Sequence, residues 1–98
     1  MLSRTGRRSR RGHVTVTYAR CGDDRPYVAY AVGRHAGGAV VRNRLRRRLR
    51  AAVDAVAGAL PPGAYVVSVG RGAVGIPFED LKADVTAAMT SASEDGRR

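Results

Sequence analysis

Six arginines fall within the nine residues from Arg42 to Arg50, the densest cluster of one chemistry anywhere in the chain. Guanidinium groups this close repel one another unless an anion lies among them. Their planar forks pair bidentately with phosphate oxygens and stack on bases, so the anion they suit is nucleic acid. Asn43 sits inside the run and adds an amide donor and acceptor for contacts to sugar and phosphate.

A helix must carry this cluster. At about 100° per residue, Val41, Leu45, Leu49, Ala52, Val53, Val56 and Leu60 share one face, which predicts a helix over 39–60 that stops before Pro61-Pro62-Gly63. Asn43, Arg47 and Arg50 lie opposite that stripe, while Arg42, Arg44, Arg46 and Arg48 occupy the flanks. A basic amphipathic helix also suits a lipid surface. Residues 39–60 have no aromatic anchor, however, and only Leu45, Leu49 and Leu60 as leucines, which fits packing on a sheet better than insertion into lipid.

The sheet is legible on either side. Residues 13–19 alternate, with Val14, Val16 and Tyr18 on one side and Thr15 and Thr17 on the other, as in a half-buried strand. Cys21-Gly22-Asp23-Asp24-Arg25-Pro26 has the content of a hairpin connection, and residues 27–32 resume as a second strand. Gly33 to Gly38 interrupts the pattern, and residues 64–70 form a third strand apolar enough to be central. Pro77, followed by Glu79 and Asp80, marks a second helix with Phe78, Leu81, Val85 and Met89 as its buried stripe. The expected fold is a small α+β sandwich of three main strands and two helices. Residues 1–12 are expected as a basic N-terminal arm, 13–91 as a single domain, and 92–98 as a flexible tail.

Charge is divided along the chain. The 98 residues carry a net +10, but residues 1–50 hold 14 arginines against Asp23 and Asp24, giving +12, and residues 51–98 hold four basic and six acidic groups, giving −2. One half is an anion-binding surface. Cys21 is the single cysteine, so neither an internal disulfide nor a multi-cysteine metal site is expected. No run approaches the ~20 apolar residues of a membrane span, and the expected location is the cytoplasm. Nuclease chemistry requires clustered carboxylates or a paired acid and base; His13 and His35 have no orienting carboxylate near them in sequence, and no catalytic or metal-ligating residue is assigned. Gly70-Arg71-Gly72-Ala73-Val74-Gly75 matches a dinucleotide-binding pattern, yet no further strand follows to complete such a unit, and it reads as a loop carrying Arg71.

The segment from Gly33-Arg34-His35 through Ala39-Val40-Val41-Arg42-Asn43-Arg44 to Arg50 resembles, without a gap, the signature of the bacterial ribonuclease P protein family. Gly6-Arg7-Arg8, Tyr27 to Val32, Tyr65 to Arg71 and Phe78-Glu79-Asp80-Leu81 also sit where that family has comparable residues. The resemblance implies a sandwich with a left-handed strand-helix-strand crossover. It further implies an RNA-binding subunit that joins a catalytic RNA and the 5′ leader of precursor tRNA, with Mg²⁺ held by the RNA. Residue by residue, it assigns RNA contacts to Arg34, Arg42, Asn43, Arg44, Arg46 and Arg47, and a leader cleft to Thr15 and Thr17. His35 stands where a second lysine is usual, and Arg50 and Arg71 extend the basic surface. Family members begin with a helix whose aromatic residues wall the leader cleft; the sequence here starts at what would be its last turn, and an in-frame start upstream is the expectation. The alternative from another class is a non-enzymatic RNA-binding module, such as a ribosomal or RNA-chaperone protein.

Overall fold

Arginines alternating about Ser9 build a strand where an arm was expected. In the computed structural model, which describes residues 7–20, 24–70 and 72–96, β1 (Arg7–Arg11) forms a hairpin with β2 (Val14–Ala19), in register from Arg7 opposite Tyr18 to Arg11 opposite Val14. Ser9 is buried and the arginines about it are exposed. The turn is Gly12-His13, with Gly12 at φ 58, a conformation that glycine adopts without penalty. A Cβ there would also meet the carboxylate of Asp84, which would have to swing aside.

The expected hairpin between the strands at 13–19 and 27–32 does not form. β3 (Pro26–Ala31) lies at the far edge, and β4 (Gly63–Val69) is inserted between it and β2, giving the order β1-β2-β4-β3. β4 is antiparallel to β2 and parallel to β3. Local pattern misses this because it reports strand existence and not partners. Central placement gives β4 a ladder on both sides, as its run of apolar residues requires. Cys21, Gly22 and Asp23 of the expected turn lie outside the described residues. Pro26, which cannot donate to a ladder, opens an edge strand where the loss is tolerated.

Between β3 and β4 runs α1 (Ala39–Asp54), so these parallel neighbours and their helix form a crossover unit. α1 stops six residues before the predicted end at Leu60, and a 3₁₀ turn over Ala57–Ala59 follows. Gly58 weakens helix there, and Pro61 steers Leu60 to an extended conformation, with φ −79 and ψ 134. α2 (Phe78–Gly96) continues well past the expected fraying point, and Ala92 and Ser93 are buried, which removes much of the expected tail.

Both helices pack on one face of the sheet. Val14, Val16, Tyr18, Tyr65, Val67 and Val69 meet Leu45, Leu49, Ala52 and Val53 of α1 and Leu81, Val85, Ala88, Met89 and Ala92 of α2. The rings of Tyr18 and Tyr65 are paired in this layer near the end of the β2–β4 ladder, with centroids 4.9 Å apart. Their hydroxyls donate to the carbonyls of Pro62 and Pro61 at 2.6 and 2.7 Å, so the polar ends of two buried rings fix the Pro61-Pro62 corner. Among the described residues no helix covers the opposite face. Strand register places two rows across it: Arg10, Thr15, Ser68 and Ala31, then Arg8, Thr17, Val66 and Ala29.

Candidate nucleic-acid interface

The apolar stripe of α1 faces the core as the periodicity predicts, with Leu45 and Leu49 fully buried, and this aims the opposite side outward. Asn43, Arg46, Arg47 and Arg50, together with Val40, line a groove of about 470 Å³. No carboxylate lines it. Arg46 Nη1 donates to Asn43 Oδ1 at 3.0 Å, which orients the amide and leaves the rest of the guanidinium fork free to meet a phosphate. Arg50 places its Cζ 6.0 Å from the centroid of Tyr30. Burial raises the Tyr30 phenol above its ordinary range, the nearby Asp54 carboxylate pushes the same way, and Arg50 opposes both.

The remaining arginines of the run divide by role. Arg44 is exposed outside this groove. Arg42 is partly buried, and its Nε has no hydrogen-bond partner among the described residues, so the group is held near the surface with a donor still to be satisfied. Arg48 turns inward: its Nη1 donates to the carbonyl of Val74 at 3.0 Å and its Nη2 to that of Ile76. Nothing in the local pattern separates Arg48 from its neighbours, because the carbonyls that it meets are 26 and 28 residues away.

A second concave region lies at one end of the open sheet face. Arg10, His13, Thr15, His35, Ser68, Val69 and Gly70 line a cleft of about 270 Å³. Arg34 and His35 lie in an exposed 3₁₀ turn, Arg34–Ala36, and His35 Nε2 sits 3.2 Å from the carbonyl of Val69. Thus Thr15 and His35 are brought together, and Thr17 lies on the same face in the next row. Arg71 is outside the described residues. Sequence reasoning missed Arg8, Arg10 and His13. The available signal was the alternation Arg8-Ser9-Arg10 running into Gly12-His13, which marks a hairpin despite its charge.

Among the described residues no three His, Cys, Asp or Glu side chains come together as a metal site, and no helix is long and apolar enough to cross a membrane. Fold and surface together define a small basic α+β sandwich with an arginine groove on a helix and a polar cleft on an uncovered sheet face. The sequence model of the Ribonuclease P family matches residues 1–93, and the chain belongs to that family. It is 36% identical over 73 residues to the ribonuclease P protein component of Brucella suis, an alignment covering 72% of this chain and 52% of that protein. With the Symbiobacterium thermophilum component it shares 44% over 59 residues, covering 59% of this chain and 51% of that one. The chain therefore spans about half the length of the curated relatives it matches. In fold it resembles the Thermotoga maritima RNase P protein, with a TM-score of 0.83 at 20% identity over 92% of this chain and 86% of the other. The Staphylococcus aureus protein gives 0.82 at 15% identity, over 93% and 84%.

Proposed function

We propose that this chain acts as the protein subunit of ribonuclease P, holding precursor tRNA on a catalytic RNA for endonucleolytic removal of the 5′ leader. Family membership supports the reading, and the observation that carries it is the groove of Asn43, Arg46, Arg47 and Arg50, which is rich in donors and free of carboxylates. Those groups suit the RNA backbone, with Arg34, Arg42 and Arg44 extending the same basic surface. The uncovered sheet face, with Thr15 and Thr17 flanked by Arg10 and Arg8, suits a single-stranded leader: small polar side chains form the floor and guanidinium groups the wall. Phosphodiester hydrolysis belongs to Mg²⁺ held by the RNA. The protein's net charge of +10 offsets repulsion between two RNA chains and lowers the Mg²⁺ needed for them to associate. The working compartment is the cytoplasm.

Reconstitution with a bacterial ribonuclease P RNA tests this. At Mg²⁺ too low for the RNA alone, adding the protein should restore cleavage of precursor tRNA at the mature 5′ end. Unchanged cleavage in the presence of bound protein would favour a non-enzymatic RNA-binding module instead.

A further inference from the structure

The chain has two histidines, and the fold brings both to one cleft. His13 stands at the β1–β2 turn, where its carbonyl accepts from the Gly70 amide at 3.0 Å, tying the turn to the end of β4. On its other side the ring approaches the loop after β4, where a Cβ added at Gly72 would lie 3.8 Å from His13 Cε1. His35 reaches the same cleft from the 3₁₀ turn, anchored on the Val69 carbonyl. A carbonyl oxygen only accepts, so Nε2 carries the proton in this contact and Nδ1 holds the lone pair of the neutral ring. Protonation adds an Nδ1–H donor without releasing the anchor. Glycine at position 33 leaves that edge uncovered, since a Cβ there would come within 2.9 Å of both Nδ1 and Cε1.

The surroundings favour an anion. Arg10 contributes a guanidinium to the lining, and Thr15 contributes a hydroxyl, whereas Ser68 Oγ already donates to the Thr15 carbonyl at 3.3 Å. Arg34 beside His35 adds positive charge at the margin. The acid facing this end from the helix layer is Asp84 of α2, which packs against Gly12 behind the turn and does not line the cleft. Val69 at the end of β4 and Gly70 after it bring no charged side chain to the lining.

We propose that Arg10, His13 and His35 form a seat for one phosphate of a single-stranded RNA backbone, and that its hold tightens as the imidazoles take up protons. Each imidazole that takes up a proton adds one formal charge to the one that Arg10 already holds in the lining. Binding and protonation are linked: an anion that favours the charged ring is itself favoured when the ring is charged, by about tenfold for each pH unit by which it moves the titration. The proposal deepens the leader-binding role assigned to this face and rests on it, but its test requires no tRNA cleavage.

The experiment titrates the whole chain with a short single-stranded RNA at about pH 7.5 and 5.5 and constant ionic strength, with inorganic phosphate as a separate ligand. RNA affinity should rise roughly tenfold or more at the lower pH. In His13→Gln plus His35→Gln the gain should vanish, while Arg10→Gln should weaken binding at both pH values and keep the gain. All three side chains are exposed, so the fold should survive, and a thermal melt of each variant checks it. With two histidines in the chain, the imidazole C–H resonances are assigned directly from the single variants, and both should shift when RNA is added. A double variant with the wild-type gain, or resonances that ignore RNA, would overturn the seat. Inorganic phosphate binding with this pH dependence while RNA does not would overturn the assignment to an RNA backbone. If the pH effect holds and reconstitution fails, the seat stands and the ribonuclease P role falls.

Discussion

Arg48 donates to the carbonyl of Val74 at 3.0 Å, from the centre of a run whose other members point to solvent or sit at its edge. With the second bond to Ile76, one guanidinium fastens the loop between β4 and α2 to the arginine helix. Besides this clasp the loop has a 3₁₀ turn at Ala73–Gly75, the buried methyl of Ala73, the partly buried Val74 and Ile76 against the core, and short-range bonds such as Gly75 N–H to the Gly72 carbonyl at 3.1 Å. Arg48 therefore supports the basic surface from behind.

Replacing it should separate stability from RNA contact. Arg48→Leu keeps the packing of the stem and leaves two carbonyls without their donor, a loss of about 1 to 3 kcal/mol. Hydrogen exchange at Gly75 and Ile76 should quicken, with the middle of α1 as protected as before. Equal exchange at the loop would show that Arg48 does not hold it.

A neighbour two positions earlier should behave in the opposite way. Among the described residues Arg46 is tied only to Asn43 on its own helix, and it lines the groove, so Arg46→Ala should leave the melting temperature within a degree or two while weakening RNA binding across sequences. The log-log salt dependence should flatten by about 0.7 to 0.9 for one lost phosphate contact. An unchanged slope would remove Arg46 from the interface. Asn43→Ala tests the pairing: if Arg46 acts through Asn43, the double variant should lose less than the two single losses added.

Gly63 is the packing counterpart. Its φ of 145 is closed to most L-residues, and a Cβ would overlap the ring of Tyr18, whose hydroxyl is fixed on the Pro62 carbonyl. Gly63→Ala must displace a buried ring in the central layer, at a cost of roughly 2 to 4 kcal/mol. Denaturant unfolding should show this as a lower midpoint at constant slope. A midpoint near that of the wild type would mean that the Pro61-Pro62 corner yields freely.

What local sequence could reveal follows from the range of each interaction. The Leu45–Leu49–Val53 stripe has helical period and packs on one face, so its orientation, and with it the outward aim of Asn43, Arg47 and Arg50, was readable. β1 was hidden because its alternation is between arginine and a single serine; strand character there comes from the partner β2 and the helix behind Ser9. The insertion of β4 was hidden because Thr15 meets Ser68 across 53 residues, and no turn signal encodes that. The same non-local pairing assembles the cleft, so Thr15 could be placed on the right face while Arg10 and His13 beside it went unread.

Tyr30 supplies the pH dependence whose sign can be worked out. Its phenol is raised above the ordinary value of about 10, chiefly by burial and then by the Asp54 carboxylate, with Arg50 acting the other way. A raised acid binds its proton more tightly in the folded chain than in the unfolded one, so its contribution to stability is complete below the unfolded value and is lost as pH climbs through the folded one. As pH rises past the ordinary phenol value the wild type should lose stability more steeply than Tyr30→Phe, which retains the ring beneath Arg50 but has no proton to lose. Below about pH 9 the difference between the two should be flat. Parallel curves across the whole range would mean that the phenol ionises as easily in the folded protein as in the unfolded chain, and that the Arg50 cation compensates fully for burial and for Asp54.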